Sequence, residues 1–257
     1  MNARPESMAR HMWDARCTQQ KYANLPDSLR PASIDEAYAA QEEYWRLAQP
    51  VYGVVAGVKV ATTTKVMQQL MGIAHPCGGA IFARTIHLSP TRISKADFVN
   101  LRVESEIALK LAADMPAGQA PWTAESVVPF VAGAMAAFEL IEDRNAVYAQ
   151  TQASSMIVEN CWNGGVVLGP TKAVQPSEIV GVKGWQTLNG EPAGEGNAED
   201  PFATLAWLAN LRAERRRDLK AGMIVITGSV VPTFSVSPGD RAVFTVHGLG
   251  EVVLDVV

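Results

Sequence analysis

The sequence predicts an α+β protein: a mixed, curled β-sheet preceded by a small helical N-terminal region. Three observations carry this. After residue 50, segments of strand character outnumber segments of helical character. Hairpin and turn signals cluster in the same stretch, among them Asn189-Gly190 and Pro238-Gly239-Asp240. The regular strand–helix–strand alternation of a parallel, doubly wound sheet is missing.

Residues 6–24 read as a loosely amphipathic helix, and Pro26 and Pro31 punctuate the loop behind it. Ser33-Ile34-Asp35-Glu36 is a capping-box pattern, with Ser33 as N-cap and Glu36 three positions on. The helix it opens is expected to run to about Ala48, with Pro50 marking its end. Residues 1–50 thus form a helical N-terminal region, and 51–257 the main domain. Val54, Ala56, Val58 and Val60 alternate with Val55, Gly57 and Lys59 in a mostly buried strand. Thr64 to Met71 reads as a short helix with Gly72 as its C′ stop. Pro76-Cys77-Gly78-Gly79 reads as a loop and Ala80 to Arg84 as a strand. Arg102 to Leu109 alternates apolar and polar residues and is a further strand. A helix over Thr123 to Val131 precedes a strand from Met135 to Glu142, and strands follow at Gly164–Gly169 and Ile179–Leu188. Asn189-Gly190 is a two-residue hairpin turn. Pro201 to Arg217 is helical, Met223 to Thr227 is a strand, and Ala242–Val246 with Glu251–Val256 forms a closing hairpin.

The 257 residues fit one large domain, or one with a small appendage, and 48% apolar with 19% charged residues is ordinary globular composition. The formal net charge is −4, and the one dense cationic run, Arg212 to Lys220, is broken by Glu214 and Asp218. That run reads as a solvated helix face, so nucleic acid is not an expected partner. No stretch is apolar enough to span a membrane, and the first residues lack the apolar core of a signal sequence. Cys17, Cys77 and Cys161 are odd in number and make no CxxC or Cys/His cluster. Zinc is therefore not expected, and a reducing compartment, the cytoplasm, is. There is no phosphate loop and no GxGxxG.

The chemistry concentrates on carboxylates. Glu104 and Glu106 stand at i and i+2 of a strand, which puts both on one face, about 6–7 Å apart at Cβ. Like charges that close repel, and burial aggravates the cost. A divalent cation with oxygen ligands would reward the arrangement. Spacing alone leaves a solvated face flanked by Arg102 and Lys110 equally open. Glu139 ends the apolar run Ala134–Phe138 and needs a partner, either an ion pair with Arg144 or a metal. Lys59 lies inside an apolar strand, where lysine is rare unless paired. It either snorkels to water or faces a site, where burial would lower its pKa and suit it to proton handling.

Several segments, in order, resemble the fumarylacetoacetate hydrolase superfamily in its 2-keto-4-pentenoate hydratase and 2-oxo-3-enedioate decarboxylase branch. Gly57-Val58-Lys59-Val60 with Thr63-Thr64-Lys65-Val66-Met67-Gln68 resembles the branch's GxKI…TSKxMQ block. Gly72-Ile73-Ala74-His75-Pro76 resembles its GVxxP loop, and Glu104-x-Glu106 its metal pair. Phe138 to Arg144 resembles EIxDSR, Val158 to Asn163 resembles ADNAS/ADNAW, and Trp207-Leu208-Ala209-Asn210 resembles WLAN. Leu219–Gly222 with Thr227-Gly228-Ser229 resembles LKAGDIILTGS. The chain departs from the pattern with Glu159 in place of an aspartate, Cys161 in place of a smaller residue and Asp143 in place of a serine.

The resemblance implies a fumarylacetoacetase C-terminal-like β-roll and an enzyme in which Glu104, Glu106 and Glu139 hold Mg²⁺ or Mn²⁺. It implies hydration of a 2-hydroxy-2,4-dienoate to a 4-hydroxy-2-oxo acid. Decarboxylation of a 2-oxo-3-enedioate, C–C hydrolysis of an acylpyruvate, and a non-catalytic assembly role are the alternatives. Hydrolysis ranks last, because only His75 offers itself for a water-activating pair. Lys59 and Glu159 are the catalytic candidates. Lys59, Asn160, Thr227 and Ser229 are the candidates for holding substrate. A small 2-oxo acid or dienol is the expected ligand, and a homo-oligomer, with a pathway enzyme as a further associate, the expected assembly.

Overall fold

Two β-sheets lie face to face in the computed structural model, which describes residues 3–257. The larger has seven strands in the order β2 (Cys77–Phe82), β1 (Val55–Ala61), β10 (Ile224–Ser235), β5 (Leu101–Leu111), β6 (Val131–Glu142), β7 (Asn163–Leu168) and β3 (Ile86–Leu88). β1 runs parallel to β10 and β3 parallel to β7, and the other neighbours are antiparallel, so the sheet is mixed. It curls until β2, at one edge, comes back against β7. The smaller sheet is ordered β4 (Thr91–Ile93), β12 (Gly250–Val256), β11 (Arg241–Val246), β8 (Lys183–Leu188) and β9 (Glu191–Asn197).

The strand period of two sorts the larger sheet's side chains. Val103, Ile107 and Leu109 of β5 and Phe138 and Leu140 of β6 face the smaller sheet, packing with Phe244, Val252 and Leu254. Ser105 on that face donates to Gln186 Oε1 of β8 at 2.6 Å. The alternate residues point into the curl. Ala108, Met135, Ala137, Val166, Ile224 and Ile226 fill its floor, all nearly or fully buried. Above them the same alternation delivers Lys59, Glu104, Glu106 and Glu139.

Helices α1 (Ala3–Cys17) and α2 (Ile34–Tyr52) pack together and onto α5 (Ala153–Val158), where Met8, Met12, Trp13, Trp45, Met156 and Trp162 share one core. α7 (Pro201–Glu214) is capped by Asp200, whose carboxylate accepts from the Phe202 and Ala203 amides, and buries Phe202, Leu205 and Leu208 in the inter-sheet core. Among the described residues no helix is long and apolar enough to cross a membrane.

Ser33 caps α2 through the Glu36 amide. The Asn189-Gly190 turn joins β8 to β9 with φ of 55° and 87°, as a two-residue hairpin loop of left-handed residues requires. Elsewhere the boundaries moved. α1 stops at Cys17 rather than near 24. α2 runs through Pro50 to Tyr52 rather than ending before it, and its terminal carbonyls are taken up by Arg84, whose Nη1 reaches the Pro50 and Val51 oxygens at 3.1 and 3.0 Å. Cys77-Gly78-Gly79 is strand rather than loop. Its glycines admit close neighbours, since a Cβ on Gly79 would stand 2.9 Å from the Asn160 carbonyl oxygen. Helix α6 (Pro176–Ile179) takes the start of the stretch expected as strand from Ile179, and the helix after Thr123 shrinks to α4 (Ala124–Val127) and a 3-10 turn.

Candidate metal centre

β5 and β6 pair with Glu104 opposite Glu139 and Glu106 opposite Ala137. This register gathers three carboxylates, and each offers an oxygen within 4.8 Å of the others. Glu106 and Glu139 are fully buried, and Glu104 is half-buried. Each is held by a single outside donor or two. The Gly228 amide of β10 donates to Glu106 Oε2 at 2.8 Å, and the Thr233 hydroxyl donates to Glu104 Oε1 at 2.5 Å. Glu139 Oε1 accepts from Asn163 Nδ2 at 2.7 Å and pairs with Lys59 Nζ at 3.1 Å.

That inventory leaves Glu106 Oε1 and Glu139 Oε2 buried with no partner. A buried carboxylate oxygen without a donor is costly, and two beside each other are worse. Burial first, then the fields of Glu139 and Glu104, push the Glu106 carboxyl well above its ordinary range. Burial also leads in raising the Glu139 carboxyl, against the pull of Lys59. All-oxygen, anionic donors with free lone pairs suit a hard divalent cation.

Lys59 corrects an expectation. Burial does pull its ammonium toward the neutral form, but Glu139, Cys161, Glu104 and Glu106 outweigh burial and lift the group above the ordinary lysine value. It also donates to the Cys161 carbonyl at 3.4 Å.

A cavity of about 480 Å³ opens over this group. Lys59, Glu104, Glu106, Gly228, Ser229 and Thr233 line its polar end. Tyr148 and Trp162 stand in its wall, stacked with ring centroids 5.2 Å apart, and the Tyr148 hydroxyl donates to Asp143 at 2.9 Å.

The other candidates lie differently. The Ser229 hydroxyl donates to the Val231 carbonyl, and that of Thr227, outside the cavity wall, to the Ile107 carbonyl at 2.7 Å. Asn160 is spent on the fold: its Oδ1 accepts from Trp45 Nε1 and from the Ala80 amide, each at 2.7 Å, and its Nδ2 donates to the Ala80 carbonyl. Glu159 is buried behind the cavity wall, gripped by Arg144 through two 2.7 Å bonds. Arg144, weighed from the sequence as a partner for Glu139, thus serves Glu159. His75 is exposed and makes only a contact with the neighbouring Pro76 carbonyl. Asn160, Cys161 and Trp162 have φ of 59°, 50° and 60°, three successive left-handed residues that turn the Cys161 carbonyl toward Lys59.

Sequence reasoning missed Asn163, Thr233 and the Gly228 amide. Gly228 lay inside the Thr-Gly-Ser segment that drew attention, but its backbone, rather than the flanking hydroxyls, reaches the carboxylate. Nothing local marked Thr233.

The fumarylacetoacetate (FAA) hydrolase C-terminal family model matches residues 76–257. A 2-keto-4-pentenoate hydratase of Paraburkholderia phymatum is 27% identical over 254 residues, covering 97% of this chain and 96% of its own. A 2-hydroxyhexa-2,4-dienoate hydratase of Comamonas testosteroni is 25% identical, covering 95% and 94%. In three dimensions the chain is similar to 4-oxalocrotonate decarboxylase from Pseudomonas putida G7 complexed with magnesium and adipate. There the TM-score is 0.91 at 19% identity, over 100% of this chain and 98% of that one. Fumarylpyruvate hydrolase from Pseudomonas aeruginosa, in complex with Mn²⁺ and pyruvate, aligns with a TM-score of 0.60 at 15% identity, over 78% and 88%.

Proposed function

The chain belongs to the fumarylacetoacetate hydrolase C-terminal family, and on that premise we propose that it is a divalent-metal-dependent hydratase, adding water to a 2-hydroxy-2,4-dienoate to give a 4-hydroxy-2-oxo acid. One observation carries the reading: three convergent carboxylates with two buried, unpartnered oxygens, beside a buried lysine whose Nζ lies 3.1 Å from Glu139. The full-length similarity to proteins named as dienoate hydratases supports the choice of reaction.

Glu104, Glu106 and Glu139 would hold Mg²⁺ or Mn²⁺. The ion, when bound, supplies Lewis-acid polarisation of the substrate's 2-oxo or enol oxygen. Lys59 brings a positive charge to the polar end of the cavity, where it can hold the substrate carboxylate or deliver a proton from Nζ during ketonisation. The Gly228 amide and Thr233 hydroxyl fix the carboxylate rotamers, and Asn163 fixes Glu139. Ser229 borders the cavity and can turn toward substrate. Glu159 and Asn160 act at one remove, by fixing the Cys161 carbonyl to which Lys59 donates. Tyr148 and Trp162, stacked on one another, form part of the cavity wall.

The same reading has the enzyme in the cytoplasm, consistent with its three free cysteines, and as a homo-oligomer. Incubation with 2-hydroxypenta-2,4-dienoate, followed by loss of the dienol's ultraviolet absorbance with Mg²⁺ and with EDTA, tests it. Consumption that depends on the metal is expected, and an inert protein under both conditions overturns the proposal.

A further inference from the structure

We infer that Tyr148, held by Asp143, is the receptor for the hydroxyl that hydration places at C4, so that the cavity selects at that carbon a group able to donate a hydrogen bond. This deepens the hydratase reading and rests on it.

Tyr148 lies in the wall of the cavity that Lys59, Glu104 and Glu106 share, its ring fixed by the stack on Trp162. Its hydroxyl donates to Asp143 Oδ2 at 2.9 Å. Asp143 is buried, and its Oδ1 accepts from Asn100 Nδ2 at 2.7 Å and from the Asn145 amide at 2.9 Å. Donors alone converge on this side chain, the pattern of a carboxylate that only accepts. A phenol has one proton, and here it is committed to Asp143. Burial first, and then Asp143, push the Tyr148 phenol above its ordinary value, so the proton stays on it. What Tyr148 has left for a ligand is lone pairs, and a group that meets them must bring its own donor. A hydroxyl or a water molecule does so, and an ether or a carbonyl does not.

Other hydroxyls of the wall have different duties. Those of Thr62 and Ser229 donate to the backbone carbonyls of Ala61 and Val231. Thr64 caps the short helix α3 (Lys65–Leu70) through the Met67 amide, and Thr233 serves Glu104. Tyr148 is the one tied to a buried carboxylate outside the trio of Glu104, Glu106 and Glu139. That carboxylate, Asp143, stands where the family pattern has a serine, so the pair belongs to this chain rather than to the pattern. Arg102, one step beyond Glu104 on the same face of β5, acts on the phenol through its charge, against the push of Asp143. Its buried Nε makes no hydrogen bond, so it does not take up the phenol's lone pairs.

The test is calorimetric titration of the Mg²⁺-loaded protein with 2-oxopentanoate, each enantiomer of 4-hydroxy-2-oxopentanoate, and 4-methoxy-2-oxopentanoate, whose oxygen accepts but cannot donate. One hydroxy enantiomer should bind at least about fivefold more tightly than 2-oxopentanoate, the ratio that one net hydrogen bond gives, and the methoxy acid should gain nothing. In Tyr148→Phe the hydroxy acid and 2-oxopentanoate should bind within about twofold of each other. 2-Oxopentanoate and Mg²⁺ should still bind as they do to the wild type, which a general loosening of the wall would not allow. Asp143→Asn reverses the polarity: its amide oxygen must serve Asn100 and Asn145, so its amide nitrogen faces Tyr148 and turns the phenol's proton toward the cavity. The preference for hydroxy over methoxy should then shrink at least about fivefold. Equal binding of the hydroxy acids and 2-oxopentanoate by the wild type, or a preference that survives Tyr148→Phe, overturns the inference and leaves the hydratase reading standing. Should Tyr148→Phe fail to fold by circular dichroism, Asp143→Asn decides, and an unchanged hydroxy-over-methoxy ratio overturns it. If no 2-oxo acid binds in a Mg²⁺-dependent way, the hydratase reading falls, and this inference with it.

Discussion

Glu104 and Glu139 stand directly opposite one another on antiparallel neighbours β5 and β6, a cross-strand pair of like charges. Such a pair is destabilising in an ordinary sheet. Glu106 adds a third carboxylate one step along the same face. The fold therefore carries a local cost in the absence of a cation, and that cost can be measured.

Mg²⁺ should raise the melting temperature. At a hundredfold excess over Kd, binding to the folded state adds about 2.7 kcal/mol, or roughly 5–10 °C for a chain of this size. Glu106→Gln should abolish most of this gain. In EDTA the same variant should melt about 2–4 °C higher than the wild type, a gain of about 1 kcal/mol from removing a repelled, buried charge. A variant that melts lower in EDTA and still responds fully to Mg²⁺ would remove Glu106 from the centre.

Lys59→Met tests the cation. Turnover should fall at least about a hundredfold, within the range of acid–base groups. Metal affinity, followed by calorimetry, should hold or tighten, because Glu139 loses its competing partner at 3.1 Å. Near-normal turnover would refute a role for Lys59 in the reaction.

The pH dependence has a definite sign. Burial and mutual repulsion raise the Glu106 and Glu139 carboxyls in the metal-free fold, so the folded chain binds protons more tightly there than the unfolded chain does. Their contribution to metal-free stability then falls as pH climbs from the ordinary carboxylate value through the raised ones. Metal binding needs the deprotonated ligands and releases protons. The Mg²⁺-induced rise in melting temperature should thus be larger at pH 8 than at pH 6, in matched scans with and without EDTA. An equal rise at both values would contradict the assignment.

Arg144 and Glu159 form a buried, two-bond ion pair behind the cavity wall. Arg144→Met should cost about 3–5 kcal/mol, because it strands the Glu159 charge. Arg144→Met with Glu159→Leu should recover part of that loss. If Glu159 works by holding its segment in place, the double variant should regain stability and Mg²⁺ affinity yet keep a lowered kcat. Full activity in Glu159→Leu alone would deny it any part in the reaction.

What the sequence discloses here follows from strict local geometry. A strand turns alternate side chains to opposite faces, so Glu104 and Glu106 could be assigned to one face before any coordinates, whereas Glu139 joined them only through the family resemblance. The Ser33 cap and the Asn189-Gly190 hairpin are equally local. The remainder depends on distance in space. Thr233 reaches Glu104 across 129 residues, and Arg144 chose Glu159 over Glu139 because β6 ends and the chain turns back through α5. β9, almost entirely exposed with two glutamates, a proline and two glycines, shows no alternation of burial to betray it. Pro50 did not end its helix, and the carbonyls at and after it found Arg84, a partner that only folding supplies.

The indole of Trp45, on α2, grips Asn160, and the next residue's carbonyl steadies the Lys59 ammonium. Both termini of the molecule's logic meet in that short stretch: an element from the first fifty residues tensions the scaffold on which a charge from the sheet relies. A fragment starting after α2 would keep every acidic ligand and still be a poor isolated module, with the support of its ammonium slackened.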